Sequence, residues 1–313
     1  MNAVERDAVT GAFGYTGRAI AEQLLADGRE VVTLSRRSGA GDPLAGRLDV
    51  RPFRPEDRAA TVAALRGVDI LYNTYWIRFP RGADTYEAAV ARSTQLLAAA
   101  REAGVRRVVH VSVIGASVDG PTPYVRAKAA LEAIVQAAGL EWTIIRPTLL
   151  FGRDDILLNN LAWALRRLPV YGIPGRGRYR IQPIHVDDVA RICVDASTWA
   201  SGQIRDAAGP EQLEYRELVA MIRSAVRSRS LVVPMPAAAV LAAARGLGLV
   251  VRDVVLRRDE VLELTTSFLT SDEPPLGTTR VADWLRTHAD GLGRRWSSEL
   301  ARNFPSPTGA WDR

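Results

Sequence analysis

Lys128 is the only lysine in the chain, set against 40 arginines among 41 basic residues. Exposed lysine and arginine usually substitute for one another. A lysine retained against such a bias points to chemistry that a guanidinium cannot supply, because an ammonium is a compact point charge with a tunable pKa. Tyr124 lies four residues earlier on a predicted helix, so phenol and amine share one face. A second group of residues suits phosphate. Ala8-Val9-Thr10-Gly11-Ala12-Phe13-Gly14-Tyr15-Thr16-Gly17 joins an apolar strand to a helical pattern. In a dinucleotide loop Gly11 makes the tight turn, Gly14 admits the pyrophosphate to the backbone, and Gly17 packs the helix on the strand. Thr10, Phe13, Tyr15 and Thr16 line this loop, and the helix start offers free N–H groups and a positive dipole end.

The elements around these residues alternate. Apolar runs rich in Val and Ile recur at Ala8–Thr10, Val31–Leu34, Ile70–Asn73, Val108–Val113 and Thr143–Arg146. Helical patterns fall between them at Arg18–Ala26, Ala59–Leu65, Tyr86–Ala103 and Tyr124–Ala138. Continuous apolar strands separated by amphipathic helices predict an α/β fold, a parallel sheet covered on both faces and doubly wound in the Rossmann manner. After Pro147 the rhythm changes to loops rich in Gly, Pro and Arg. A helix near Asp187 leads back to the core, and the last hundred residues read as mostly helical, with breaks at Pro234–Pro236 and Pro274–Gly277. The expected organisation is a dinucleotide-binding core over residues 1–152. Residues 153–313 hold the rest of that core interleaved with a smaller substrate-side lobe.

The second strand ends in Ser35-Arg36-Arg37, where a carboxylate for a ribose 2′-hydroxyl would otherwise stand. Two forked guanidinium groups there suit a 2′-phosphate, which favours NADP, with NAD possible. A solvated charge pair closing a strand is the plainer reading of the same residues.

The Thr-Gly-x-x-Gly-x-x-Gly spacing from Thr10 resembles the extended and atypical branches of the short-chain dehydrogenase/reductase superfamily. That resemblance implies that Tyr124 and Lys128 are the catalytic pair. Tyr124 exchanges a proton with the substrate oxygen, while Lys128 lowers the phenol pKa and holds the nicotinamide ribose. It also implies cofactor contacts from Asn73 and Thr74 in the Asn73-Thr74-Tyr75-Trp76 segment, and from Pro147 in Arg146-Pro147-Thr148 through Phe151-Gly152. His185-Val186-Asp187-Asp188 looks like the segment that leads back to the core, with His185 structural and Asp187 a first-turn acid. The Asn-Thr-Tyr-Trp segment and Pro274-Pro275-x-Gly277 through Leu285 are similar to the NAD(P)-binding accessory subunit of respiratory complex I and to NAD(P)-binding epimerase/dehydratase-like proteins.

The chain departs from that pattern in two places. The catalytic serine position aligns with Val113, and Ser112 stands one place early, so its side chain should face away from Val113's. Ser112 is kept as the third catalytic candidate, with Ser117 as a substitute. An acid expected near the adenine is Arg54, which leaves Asp57 to cap the next helix.

One cysteine, Cys193, excludes a disulfide framework and a cysteine metal cluster, and its apolar setting suits a small core residue. The net charge of +6 is spread along the chain. Arg223, Arg227 and Arg229 lie on a predicted helix without aromatic interleaving, so no nucleic-acid partner is expected. The glycine loop begins too early for a signal peptide, and no apolar stretch is long enough to span a bilayer, so the expectation is a cytoplasmic monomer or homodimer without a transmembrane segment. The helix Ala237–Val251 suits packing on the dinucleotide-binding core, a bilayer surface or a long-chain substrate. Two functions remain: an NAD(P)-dependent oxidoreductase or epimerase/dehydratase acting on a small organic substrate, and a non-catalytic NADP-binding sensor or scaffold.

Overall fold

A computed structural model describes residues 5–266 and 268–304, so the outer limits expected for the two regions, residues 1 and 313, lie outside the described residues. The described chain forms two compact units. The first runs up to Pro147 and takes in Val186–Ala207; the second comprises Thr148–His185 and the chain from Ala208 onward.

The first unit is built on a seven-stranded sheet. Its strands are β1 (Arg6–Thr10), β2 (Glu30–Ser35), β3 (Asp49–Pro52), β4 (Ile70–Asn73), β5 (Arg107–Val111), β6 (Glu141–Pro147) and, at one edge, Gln203–Ala207. The order from that edge is Gln203–Ala207, β6, β5, β4, β1, β2, β3, and every pairing is parallel. The direction of winding reverses between β1 and β4, which opens the crevice where doubly wound sheets bind ligands. Gln203–Ala207 escaped the sequence reading because its QIRDA segment is half-buried and polar, unlike the fully buried β5.

The helices are α1 (Tyr15–Ala26), α2 (Arg58–Leu65), α3 (Tyr86–Ala103) and α4 (Pro123–Ala137). α1 packs beside the helix Val186–Asp195, and α2, α3 and α4 pack in a row. Between them the strand residues Ala8, Val32, Leu71, Val108 and Ile144 are buried, as a parallel sheet covered on both faces requires. Cys193 is fully buried, and burial pushes its thiol up in pKa, as befits a core residue. Three of these four helices start on side-chain caps. Asp57 accepts from Ala60 N at 3.0 Å, Thr85 from Ala88 N at 3.1 Å, and Thr122 from Val125 N at 3.3 Å. Pro123 follows Thr122 at the first helical position, which sets the start of the helix that carries Tyr124 and Lys128.

The second unit combines helices with short strand pairs. Its core gathers Phe151, Leu158, Leu161, Leu218, Ile222 and Trp284. Val170–Pro174 pairs in parallel with Leu231–Met235. The sequence reading placed a break at Pro234; this two-stranded pair tolerates the proline because a strand with one neighbour does not need every N–H.

Candidate functional site

The loop between β1 and α1 is folded tightly by its glycines. Gly11 adopts φ +70°, a conformation that L-residues with side chains rarely enter. A Cβ on Gly17 would lie 2.4 Å from the Gly11 carbonyl oxygen, so only glycine permits this close helix–loop approach. Gly11 N donates to Leu34 O at 3.1 Å, and Gly14 N to Gly11 O at 2.7 Å. Gly14 is the N-cap of α1 and supplies no side-chain cap. The first turn, with Tyr15 and Thr16, therefore has a glycine-lined approach and the positive end of a 12-residue helix. A pyrophosphate fits such a cradle. Phe13 closes the neighbouring loop, where a Cβ on Gly39 would collide with its ring.

At the end of β2, Ser35 Oγ accepts from Arg37 N at 2.9 Å. Arg36 reaches Asp84 at 3.3 Å, and Asp84 also pairs with Arg92. The two guanidinium groups hold the Asp84 carboxyl below its usual range against the opposing effect of burial. Arg36 is half exposed, so its fork is engaged at one nitrogen and open to solvent elsewhere.

The crevice between β1 and β4 is bridged by hydroxyl and amide groups. Thr10 Oγ1 accepts from Thr74 N at 2.8 Å and Tyr75 N at 2.9 Å, and donates to Asn73 Oδ1 at 3.2 Å. Thr74 Oγ1 returns a hydrogen bond to the Thr10 carbonyl. Asn73 continues the network to β5, where His110 Nδ1 lies 3.2 Å from the Asn73 carbonyl. His110 is fully buried. Burial first, and the charge of Lys128 second, push its pKa down to about 3, so the ring is neutral at physiological pH.

Lys128 is 4% exposed. Its Nζ donates to the Val111 carbonyl at 3.1 Å, at the end of β5. The Trp76 ring lies against the same nitrogen, 4.5 Å from Nζ to the centroid. Burial pushes the amine down to about 7 while Glu132 opposes that shift. Tyr124, one turn before Lys128, meets Trp76 edge-on at 6.1 Å and Tyr86 edge-on at 6.0 Å between centroids. One turn after Lys128, the buried Glu132 accepts from Arg146 Nε at 2.9 Å and from its Nη2 at 2.5 Å. Ser112 donates to the same carboxylate.

The structure therefore brings Thr10, Gly11, Gly14, Asn73 and Thr74 together at the β1–β4 crevice, with Ser35, Arg36 and Arg37 at the neighbouring strand end. Tyr124 and Lys128 meet around Trp76. Ser112 is held by Glu132. β5 ends at Val111, two residues before the expected end, so Ser112 and Val113 belong to the following loop. Ser117 is exposed and its hydroxyl accepts from Asp119 N at 3.2 Å. Pro147 ends β6, with its carbonyl accepting from Ile114 N at 2.9 Å. The sequence reading missed His110, Trp76 and Glu132. For Glu132 a signal existed, since it repeats the four-residue spacing from Tyr124 to Lys128.

The profile of the NAD(P)H-binding family matches residues 11–198. The mitochondrial NADH dehydrogenase [ubiquinone] 1 alpha subcomplex subunit 9 of Arabidopsis thaliana is 29% identical over 287 residues, which take in 84% of this chain and 70% of the subunit. A 4-hydroxy-2-methyl-3-oxo-4-farnesyl-3,4-dihydroquinoline-1-oxide ketoreductase of Stigmatella aurantiaca is 28% identical, over 69% of this chain and 72% of the reductase. Among solved structures, an NADPH-dependent quinone oxidoreductase of Escherichia coli complexed with NADPH superposes with a TM-score of 0.72 at 20% identity, covering 90% of this chain and 98% of that one.

Proposed function

This chain belongs to the NAD(P)H-binding family, and from that premise we propose that it is an oxidoreductase which takes NADP(H) in preference to NAD(H) and acts on a ketone or quinone carbonyl through Tyr124 and Lys128. The observation that carries this reading is Lys128. The one lysine of an arginine-rich chain is buried at the carboxyl end of β5, one helical turn from a tyrosine, with its pKa brought to about 7. A group poised at neutral pH is what proton chemistry needs.

The cradle from Gly11 to Gly17, with Tyr15 and Thr16 at the start of α1, would hold the pyrophosphate. Ser35, Arg36 and Arg37 would meet the 2′-phosphate, for which Arg36 has to share its fork with Asp84. Asn73, Thr74 and Pro147, at or just after the carboxyl ends of β4 and β6, would meet the nicotinamide half. A bound nicotinamide supplies or accepts the hydride. Tyr124 gives or takes the proton at the substrate oxygen, and the Lys128 ammonium stabilises its phenolate. Ser112 serves the carbonyl only by leaving Glu132; while that bond holds, it fixes the carboxylate beside Lys128 instead. Similarity to a ketoreductase and to a quinone oxidoreductase supports the choice of a carbonyl substrate.

A second reading, a cofactor-binding protein without turnover, is favoured by Trp76. Its indole stands over the ammonium that a ribose would have to reach, and Val113 brings no hydroxyl to the serine position. Titrating NADPH and NADH, then mixing the NADPH complex with a panel of ketones and quinones, separates the readings. Loss of NADPH absorbance with a panel member supports the oxidoreductase. Tight binding with no oxidation by any of them supports the second reading, and no binding of either nucleotide rejects both.

A further inference from the structure

The helix Ala237–Val251 has the sequence AAAVLAAARGLGLVV, apolar on every face apart from Arg245. A helix of that kind belongs in a protein core or in lipid. Here it lies at the surface, with Ala244 as its one buried residue. Its inner side, with Val240, Ala244, Leu247 and Val251, is buried or half-buried, and Val240 faces Gly172 of the strand Val170–Pro174. Its outer side presents Ala238, Ala242, Arg245 and Leu249 along one stripe, with Ala243, Gly246 and Val250 beside it, all exposed. Leu249 is 84% exposed and Val250 79%. Leu231 and Val170, register partners in the same unit, are 63% and 45% exposed. Adjacent aliphatic side chains as bare as Leu249 and Val250 at one helix end mark an interaction surface rather than ordinary surface scatter.

The charge around this face names its partner. No Asp or Glu occurs between Ser228 and Arg252, whereas Arg229, Arg245 and Arg252 do, and all three are exposed. The first acid beyond, Asp253, is turned inward, where its carboxylate accepts from Trp296 Nε1 at 2.8 Å, Glu299 N at 2.8 Å and Leu300 N at 3.0 Å. The outward surface at the helix end is therefore aliphatic and cationic. We propose that this face docks into the headgroup region of an anionic lipid bilayer, with the helix lying in the membrane plane. Leu249 and Val250 then enter the acyl boundary, while Arg245 and Arg252 reach back to the phosphates. Fifteen residues give a helix about 22 Å long, and no helix among the described residues is long and apolar enough to cross a membrane. The attachment lies on the bilayer rather than through it.

Co-sedimentation of the whole chain with vesicles of phosphatidylcholine alone, and of phosphatidylcholine mixed with phosphatidylglycerol, tests this. The wild type is expected to pellet with the mixed vesicles and to be released by added salt. The double variant Leu249→Asp, Val250→Asp should partition about tenfold less or weaker still. An Arg245→Ser variant, which keeps the aliphatic residues, should show the same anionic preference reduced. Thermal melting of each variant controls for folding, and the salt dependence of the wild type stands without any variant. Three results would overturn the proposal: no pelleting with mixed vesicles, equal pelleting with neutral ones, or a wild-type dimer in sedimentation velocity that the double variant dissociates while vesicles bind neither. The last would assign the face to a second copy of the chain.

Discussion

The indole of Trp76 lies over the ammonium of Lys128, with 4.5 Å between Nζ and the ring centroid. The same indole stacks on Tyr86 at 5.9 Å, so the lysine is shut in by a braced aromatic group on one side and the Val111 carbonyl on another. Replacing Trp76 with alanine is expected to open that enclosure. Acylation of Lys128 by an amine-reactive reagent, followed by peptide mass spectrometry, should then quicken by about tenfold as the desolvated cation–π contact is lost. The single lysine makes the peptide unambiguous. An unchanged rate would mean that the indole does not guard the amine.

Lys128 also predicts how stability depends on pH. Its folded-state pKa, about 7, lies below the ordinary lysine value of 10.5 because burial disfavours the charged form. Between those values the unfolded chain binds a proton that the folded chain does not, so stability rises with pH across that window and is lost as pH falls through about 7. Lys128→Met keeps the bulk and removes the charge. Relative to this variant, the wild type should gain thermal stability between about pH 7 and pH 10. Parallel melting curves for the two proteins over that range would contradict the assignment.

Two glycine variants separate packing from ligand space. Gly17→Ala drives a methyl into the Gly11 carbonyl at 2.4 Å and should destabilise the fold by about 1–3 kcal/mol, with nucleotide binding impaired as well. At Gly14 the added Cβ would sit 3.1 Å from the same oxygen, a tight contact a small shift relieves. Gly14→Ala should therefore melt closer to the wild type and still bind nucleotide more weakly. Denaturation and NADPH titration of both variants check this, and equal effects at the two positions would contradict the geometry.

These contrasts show what could be read in advance. The glycine spacing and the apolar strand runs fix local backbone, so the β1–α1 loop and the parallel core were legible from short stretches of chain. Tyr124 and Lys128 were legible because four residues make one helical turn. Trp76 over Lys128 was not, since the contact needs the segment after β4 to fold across to α4, and no spacing encodes that approach. Arg146 on Glu132 was hidden for the same reason, with β6 supplying one partner and α4 the other. Ser112 shows how a residue's setting overrides its type. A hydroxyl close to the expected position is taken by a buried carboxylate that sequence proximity did not suggest.

The preference proposed for NADP rests on Arg36 and Arg37. Replacing both with alanine is expected to weaken NADPH by about tenfold to a hundredfold while leaving NADH nearly unchanged, because charge-assisted contacts to the 2′-phosphate are removed, whereas the Arg36–Asp84 ion pair lost with them does not touch the nucleotide. Calorimetric titration of both nucleotides into wild type and variant measures the difference. A wild type that binds the two equally, or a variant that loses both, would show that these arginines do not read the 2′-phosphate.

The most direct test of the oxidoreductase reading compares wild type with Tyr124→Phe. Each protein is loaded with NADPH and mixed with a ketone or quinone that the wild type reduces, and the loss of NADPH absorbance is followed through a single turnover. The substitution removes one hydroxyl and leaves the ring between Trp76 and Tyr86. NADPH affinity should stay near the wild-type value while the rate falls by about a hundredfold or more, the usual scale for losing a general acid. An equal rate in the two proteins would contradict the assignment of Tyr124 and Lys128 as the working pair.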